Sequence, residues 1–399
     1  MKTREVKLGE VANVKGGKRI PKGIGLINIP NGHPYIRVRD LNNKRLLELD
    51  NSYEYVDNET QKVISKYTVK TGDVVLSIVG TIGLVAIVGR TLDGANLTEN
   101  CVKLSSFHGV NRDFLYYYLR SDCGQQEIRC GTVGAVQAKL PIKNIQNIAI
   151  NLPDYTTQER IVSLLLSIDR KIELNQKIND NLEQQAVTYF QELYINNANP
   201  MWQIGTISDL GTVVGGSTPS KTKPEYYTNN GIAWITPKDL SISKSKFISH
   251  GENDITELGL KNSSATVMPK GTVLFSSRAP IGYIAIASNE VTTNQGFKSV
   301  VPYLEIGTAF VYFFLKHSLP VIESAASGST FKEISGSAMK NIPAIIPDRS
   351  TLDQFNSFCA PIFAQQKILE DQNYSLAMLR DSLLPKLMSG AIDIASIQL

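Results

Sequence analysis

Hydrogen-bond donors follow a pair of glycines at two places in this sequence. Gly16-Gly17 and Gly215-Gly216 each begin a polar loop. Paired glycines let a backbone approach a ligand closely, and the side chains beside them suit phosphate groups. The donors are Lys15, Lys18, Arg19 and Lys22 in the first loop and Ser217, Thr218, Lys221 and Lys223 in the second. This pattern predicts binding of a polyanion.

Further polar side chains recur at corresponding places and could contact base edges. Arginine and lysine can pair with guanine in the major groove, and asparagine and glutamine with adenine. Glu99-Asn100 is predicted to be the counterpart of Asn294-Gln295. The further candidates are Arg37, Arg39 and Thr81 in the first half and Lys238, Arg278, Asn294, Gln295 and Lys298 in the second. Donors that differ on a repeated glycine framework are expected of two domains that recognise different sequences.

These residues belong to an internal duplication. Gly72–Ser77 returns as Gly271–Ser276 and Ile82-Gly83 as Ile281-Gly282, both 199 residues later. Beyond residue 140 the offset falls to 194. A constant offset over this length indicates two similar domains.

Short apolar runs bounded by glycine predict buried strands in each half. They are Val74–Val79, Leu84–Val88, Val273–Ser276 and Tyr283–Ala287. The aromatic segments Phe114–Leu119 and Phe310–Leu315 predict a helix packed in each core.

Each strand-rich half is followed by one long predicted helix. The first begins near Thr156, where Thr156 and Glu159 have the spacing of a capping box. Apolar positions then alternate in steps of four and three, as in a coiled-coil seam. The seam is expected at Ile161, Leu165, Ile168, Ile172, Leu182, Ala186, Tyr189 and Leu193, and again at Phe355, Cys359, Ile362, Gln366, Leu369, Asn373, Leu376, Arg380, Leu383 and Leu387. An intramolecular antiparallel pair is the simplest arrangement. Asn175 and Asn179 fill the gap in the first seam, and Asn179 and Asn373 are polar at equivalent seam positions. Packing of each helix on its own domain or on a partner protein is the alternative.

Composition excludes several classes of protein. The hydrophobic fraction is 42% and the charged fraction 20%, as in ordinary soluble proteins. No apolar run approaches the roughly 18 residues of a membrane helix, and the first residues lack the pattern of a signal peptide. The four cysteines have no CxxC spacing, which predicts buried, reduced thiols in a cytoplasmic protein without a zinc site.

Positive charge is concentrated in the first half. Residues 1–45 hold eleven basic side chains against three acidic ones, whereas residues 199–348 hold twelve against eleven. A basic face suits a polyanion, although a solvated surface would give the same count.

No common catalytic motif is present. The sequence lacks a P-loop, a GxSxG elbow and an HExxH pair. Pro153-Asp154 and Pro347-Asp348 lack the acidic-x-Lys partner of a metal-dependent nuclease and stand just before the long helices. Proline and acidic residues are expected there, so both pairs are interpreted as structural.

The chain resembles the specificity subunit of type I restriction-modification systems over nearly its whole length. The resemblance is carried by Leu8–Ala12, Ile207–Gly211, the two glycine pairs, Ile235–Leu240, Asn294–Gly296, Ile346–Asp348 and Ser382–Gly390. It implies an α+β fold: two target-recognition domains, each a twisted β-sheet with short helices, joined by two long helices packed as an antiparallel coiled coil. The domains are expected at 1–153 and 199–348, and the helices at 154–198 and 349–399.

The resemblance also implies a function. Each domain would read one half of a bipartite site in double-stranded DNA, and the helices would set the spacing and dock two methylation subunits. The chain itself would be non-catalytic and without cofactor; S-adenosylmethionine, ATP and Mg²⁺ are expected on the methylation and restriction subunits. Arg19-Ile20 stands where the second half has Thr218-Pro219, which is a departure between the two loops.

Two other classes of function are alternatives to a DNA-specificity subunit. An enzyme with its own methyltransferase or nuclease activity would transfer label from S-adenosylmethionine without partners. A coiled-coil adaptor with no DNA role would explain the helices but not the donors that vary on the repeated Gly-Gly frame.

Overall fold

The computed structural model describes residues 3–41, 44–134, 136–328, 332–392 and 394. The chain forms two compact units. Unit 1 comprises Met1–Lys171 and Ser375–Leu399, and unit 2 comprises Ile172–Tyr374. Both long helices therefore contribute residues to both units. The four-part division given above stays a prediction.

Unit 1 is built on a five-stranded sheet in the order β2-β9-β6-β7-β4, with a three-stranded sheet β5-β3-β8 and a β1-β10 ribbon. Its elements are β1 (Thr3–Lys7), α1 (Leu8–Val11), β2 (Asn13–Gly16), β3 (Pro34–Ile36), β4 (Leu46–Leu47), β5 (Glu54–Tyr55), α2 (Asn58–Ile64), β6 (Val74–Ser77), β7 (Val85–Val88), β8 (Asn96–Leu97), β9 (Cys101–Ser105), α3 (Arg112–Arg120), α4 (Asp122–Gly131), α5 (Ile142–Gln146), β10 (Ala149–Pro153) and α6 (Tyr155–Phe190). Most of β6, β7 and α3 is buried, because their side chains are almost all apolar or aromatic.

Unit 2 repeats this topology, with sheets β12-β20-β17-β18-β15 and β13-β16-β14-β19 and a β11-β21 ribbon. Its elements are β11 (Gln203–Thr206), α7 (Ile207–Leu210), β12 (Gly211–Gly215), β13 (Tyr227–Thr228), β14 (Ile232–Ile235), α8 (Pro237–Ile242), β15 (Phe247–Ile248), β16 (Asn253–Ile255), α9 (Glu257–Lys261), β17 (Val273–Ser277), β18 (Ile281–Ala287), β19 (Thr292–Thr293), β20 (Lys298–Pro302), α10 (Thr308–His317), α11 (Leu319–Ser324), α12 (Gly336–Lys340), β21 (Pro343–Ile346) and α13 (Arg349–Met388). The predicted duplication is confirmed, with β13 as an additional strand in unit 2. The aromatic helices α3 and α10 lie in the two cores.

Both long helices begin at the residue after a Pro-Asp pair. Asp154 accepts a hydrogen bond from the Thr157 amide at 2.9 Å, and Asp348 accepts one from the Thr351 amide at 2.9 Å. Each carboxylate thus caps a free amide of the first turn. The structural interpretation of the Pro-Asp pairs is confirmed, whereas the capping box of Thr156 and Glu159 is wrong because Asp154 takes that position.

The long helices pair antiparallel within unit 2, as predicted. The Asn179 carbonyl accepts from the Gln366 side chain at 3.2 Å, and the Tyr189 and Phe355 rings stack with centroids 6.0 Å apart. In unit 1, Arg380 of α13 donates to Asp169 of α6 at 2.9 Å. The predicted seam residues of both helices are buried or half-buried.

The cysteines differ in part from the expectation. All four are free, and Cys101 and Cys359 are buried. Burial raises the pKa of the Cys359 thiol to about 12, so this thiol is inert at neutral pH. Cys123 and Cys130 are exposed on α4. The prediction of buried thiols is wrong for these two, because they lie on the polar face of a surface helix.

Candidate nucleic-acid interface

The second Gly-Gly loop crosses the chain after β19 in direct backbone contact. The Ser217 amide donates to the Thr293 carbonyl at 2.8 Å. A Cβ atom at Gly216 would overlap the Asn294 carbonyl oxygen, whereas one at Gly215 would meet nothing within 4 Å. The second glycine of the pair is therefore required by close approach.

The first Gly-Gly loop makes the same crossing in unit 1. The Lys18 amide donates to the Leu97 carbonyl at 2.8 Å, and a Cβ atom at Gly17 would overlap the Thr98 carbonyl oxygen. We call the contact of residues 17–19 with 97–99, and of residues 216–218 with 293–295, the loop crossing. Its geometry is shared by both units.

A buried aromatic side chain donates a hydrogen bond to the backbone of each Gly-Gly loop. The Tyr35 hydroxyl donates to the Lys18 carbonyl at 2.9 Å, and the Trp234 indole N–H donates to the Ser217 carbonyl at 3.0 Å. Both rings are buried, so a donor fixed by packing sets the loop position. Sequence reasoning did not single out these two residues, although they occupy equivalent positions of a repeated element.

The side chains at the loop crossing differ between the units. The Arg19 Nε atom lies 3.4 Å from a Glu99 carboxylate oxygen in unit 1. In unit 2 the Thr218 hydroxyl donates to the Gln295 side-chain oxygen. One frame thus presents an ion pair in one unit and a neutral hydrogen-bonded pair in the other.

Strand register corrects one predicted correspondence. Ile36 pairs with Leu97 in parallel register, and Ile235 pairs with Thr293 in the same way. The counterpart of Asn294-Gln295 is therefore Thr98-Glu99, one residue before the Glu99-Asn100 predicted from the sequence. The prediction was wrong because the residues lost from the second copy are not all in one place.

Five of the predicted residues of unit 2 line a single cleft of about 540 Å³. Trp234 and Thr236 also line it, and Asn253 of β16 adds a polar group that sequence reasoning missed. A polar, open cleft of this kind can take base edges or phosphates. The five residues are Thr218, Lys221, Lys238, Asn294 and Gln295.

Besides the Thr218–Gln295 pair, two more of those five have partners within the protein. Lys238 Nζ lies 2.5 Å from Glu252, and both side chains are exposed. The Asn294 side-chain oxygen accepts from the Gly296 amide at 2.9 Å. Asn294 therefore shapes the turn that presents Gln295.

In unit 1, Arg37 and Arg39 occupy the positions that correspond to Thr236 and Lys238, and both arginines bind the same carboxylate. Arg37 and Arg39 both bind Glu54, Arg39 at 2.7 Å. The Arg37 amide donates to the Asp40 carboxylate at 2.7 Å, and burial raises the pKa of Asp40 to about 6, against the lowering effect of Arg39. Arg39 remains exposed and can reach a ligand, whereas Arg37 is half-buried.

Arg278 and Lys298 form a separate cluster in unit 2. Glu333 lies 3.2 Å from Arg278 and 3.8 Å from Lys298. Backbone pairing of Arg278 with Glu333 has its counterpart in Val79 with Lys139 of unit 1. This second repeated contact also carries different side chains in the two units.

The remaining predicted residues are dispersed over the surface of their units. Lys15 lines a cleft of unit 1 with Lys66 and Lys103, two basic residues that sequence reasoning did not select. Lys18 Nζ lies 5.6 Å from the centre of the Tyr67 ring, and Lys223 donates to the Tyr226 hydroxyl at 3.1 Å. The structure does not bring Lys22, Thr81, Ser217 or Lys223 into either of these clefts.

Across the described ranges, no group of three or more histidine, cysteine, aspartate or glutamate side chains is arranged to hold a metal ion. Nor does any helix in the described residues have the length and apolar character needed to cross a membrane. The feature that the two units share is the loop crossing, a polar contact with the same backbone geometry in each.

Comparison with known proteins assigns the family. The model of the type I restriction modification DNA specificity domain matches residues 2–184 and 199–371. The chain belongs to this family. The two matches of the DNA specificity family cover both copies of the duplication and most of both long helices.

Curated relatives in the same family are specificity subunits. The type I restriction enzyme MjaIX specificity subunit of Methanocaldococcus jannaschii is 43% identical over 162 residues, 40% of this chain and 37% of that protein. The HindI specificity subunit of Haemophilus influenzae is 23% identical over 341 residues, 67% of this chain and 73% of that protein. This chain thus spans little more than a third of the first relative.

A solved structure shares the fold. The S subunit of a type I restriction-modification system from M. genitalium superposes with a TM-score of 0.56 at 16% identity, covering 97% of this chain and 99% of that one. The expected fold class is confirmed: two similar α+β domains joined by long helices.

Proposed function

We propose that this chain is the DNA-recognition subunit of a type I restriction-modification complex, with no catalysis of its own. Each unit would read one half of a bipartite site in double-stranded DNA. The observation that carries the proposal is the loop crossing, because two units with the same backbone frame present different side chains at equivalent points. A frame that is constant while its donors vary suits recognition of two different short sequences.

The long helices would set the distance between the half-sites and dock two methylation subunits. Apolar side chains on the unit 2 segments of α6 and α13 support docking, since an exposed apolar surface on a paired helix marks a protein-binding face. These side chains are Leu174, Ile178, Ile368 and Tyr374. Restriction subunits would join in the full complex.

In this proposal the chemistry belongs to the partners. S-adenosylmethionine would bind the methylation subunits, and ATP and Mg²⁺ would serve the restriction subunits. The chain would hold no cofactor and would act in the cytoplasm. Its recognition domains would span 1–153 and 199–348, and its helices 154–198 and 349–399.

Footprinting of the chain together with its methylation subunits tests the proposal. We expect two short protected duplex segments separated by an unprotected gap, with protection lost when either segment is randomised. Protection of one continuous stretch, indifferent to sequence, would contradict it. Incubation of the chain alone with DNA and labelled S-adenosylmethionine is the second arm, and label transfer would favour an enzyme instead.

A further inference from the structure

At each loop crossing one side chain is exposed and the other orients it. The two units divide these roles in opposite ways. In unit 1 the loop residue Arg19 extends into solvent, with its side chain 82% exposed, and Glu99 lies behind it. In unit 2 Gln295, after β19, is exposed, and the loop residue Thr218 is half-buried.

We infer that the loop crossing contacts one base pair in each half-site, a guanine through Arg19 of unit 1 and an adenine through Gln295 of unit 2. The inference rests on the proposed function. It assigns, for the loop crossing of each unit, the base that is recognised and the side chain that contacts it.

Arg19 is oriented to present two parallel donors. Its Nε atom faces one Glu99 oxygen at 3.4 Å, and the other Glu99 oxygen accepts from the Thr98 hydroxyl at 3.0 Å. The carboxylate is therefore fixed on both sides, and it engages the inner edge of the guanidinium. The two terminal nitrogens are left to donate to the O6 and N7 acceptors that guanine presents in the major groove.

Gln295 is oriented to present one acceptor and one donor. The Thr218 hydroxyl donates to its side-chain oxygen, and that oxygen retains a second lone pair. The amide nitrogen then carries two free hydrogens beside that oxygen. Such an arrangement matches the N6 donor and N7 acceptor of adenine.

Two neighbouring groups are already engaged within the protein, which favours Gln295 as the residue that contacts the base. Asn294 is engaged with the Gly296 amide, and Lys238 is engaged with Glu252. Both also line the cleft around Gln295. Because β3–β8 and β14–β19 have matching register, the Arg19–Glu99 and Thr218–Gln295 pairs occupy equivalent places and would meet equivalent base pairs.

The test uses the chain expressed with its methylation subunits in a host free of other DNA methylation, with the target determined by sequencing methylated bases. We expect Arg19→Ala to relax one position of one half-site, a guanine, and Gln295→Ala to relax one adenine of the other. Loss of a bidentate contact lowers discrimination about 5- to 150-fold. Lys62→Gln removes an exposed charge of unit 1 that is paired with Glu59, and this control should leave the target unchanged.

A double exchange tests the assignment in the opposite direction. Thr218→Arg with Gln295→Glu copies the unit 1 pair into unit 2 and should change the preferred base at that position from adenine to guanine. Arg19→Lys keeps the charge and should weaken guanine preference without abolishing it, which guards against a variant that does not fold.

The outcomes separate the inference from the proposed function. A bipartite site that is unchanged in both alanine variants, or whose relaxed position is another base, overturns the inference and leaves the proposed function standing. Equal weakening on all DNA sequences overturns it as well, because Arg19 and Gln295 would then contact phosphates. A wild-type complex without a bipartite site overturns both.

Discussion

The Asn175 side-chain amide donates to the side-chain oxygen of Asn373 at 3.0 Å, inside the seam between α6 and α13 of unit 2. Asn175 is fully buried. A buried amide hydrogen bond between helices forms in one register only, because a shift of either helix would separate the two side chains. The pair therefore selects the alignment of the two helices in this unit, and does so at some cost in stability.

Removing one member of this pair should destabilise unit 2, and removing both should not. Asn373→Leu leaves the buried Asn175 donor with only Gln372 as partner at 3.2 Å, and should cost about 1–3 kcal/mol of unfolding free energy. The double variant Asn175→Leu with Asn373→Leu should be as stable as the wild type or more so. Urea unfolding followed by tryptophan fluorescence measures this, since both tryptophans, Trp202 and Trp234, lie in unit 2. A double variant less stable than the single one would contradict the explanation.

Glu183 anchors a second polar cluster of unit 2. Its carboxylate binds the ammonium groups of Lys246 and of Lys316, the latter at 2.6 Å, and Lys246 is also 2.5 Å from Gln366. The Lys246 side chain is only 5% exposed. Glu183→Gln should therefore cost about 3 kcal/mol at pH 7, because it leaves a buried ammonium without its counter-charge. Glu192→Gln, at an exposed position in the helical turn Gln191–Asn196 that follows α6, should change stability by less than about 0.5 kcal/mol.

The effect of Glu183 should depend on pH in a defined direction. Burial alone would raise the pKa of this carboxyl, but Lys246 and Lys316 hold it below its ordinary value. A depressed carboxyl pKa means that the ionised form stabilises the fold above the unfolded pKa, and that this contribution is lost as pH falls through the folded pKa. The difference between wild type and Glu183→Gln should thus be largest at neutral pH and shrink below about pH 4. A difference that grows with acidity would show that the side chain acts through packing alone.

Much of the fold could be predicted from the sequence because the same strand and helix patterns occur in both copies of the duplication. Glycine-bounded apolar runs predicted β6, β7, β17 and β18, and the four-three seam predicted the long helices, since both patterns are local. The seam partners could not be predicted. The offset of 194 residues pairs Asn179 with Asn373 as equivalents, whereas antiparallel packing sets Asn175 against Asn373 and Asn179 against Glu370, 3.5 Å away.

The candidate site was predictable only in outline. The repeated donors pointed to both loops, and five of those in the second half meet in one cleft. The partners of other predicted donors are distant in sequence, however, as with Arg19 and Glu99 or Arg278 and Glu333. Which donors face a ligand depends on those pairings, and the pairings depend on strand register that no local pattern reports.

Gly216, at the loop crossing of unit 2, should matter for DNA recognition by that unit only. Gly216→Ala places a methyl group against the Asn294 carbonyl and should displace the turn that carries Gln295, so that one half-site is read with at least about tenfold less discrimination. Gly215→Ala meets no atom within 4 Å and is the matched control. Competition binding with half-site variants measures both. Equal effects of the two substitutions would show that the close approach at Gly216 is not what positions the turn.

Lys221 should contribute to binding through charge alone. It is exposed and lines the unit 2 cleft, and a lysine ammonium at such a position suits a phosphate. Lys221→Gln should weaken binding of the complex to all DNA sequences by a similar factor and reduce the slope of log affinity against log salt concentration by about 1. Lys261→Gln, an exposed lysine on α9 in the same unit, is the control for loss of one charge and should leave the slope nearly unchanged. Fluorescence anisotropy over a salt series measures both, and a loss confined to one DNA sequence would instead assign Lys221 a contact with a base.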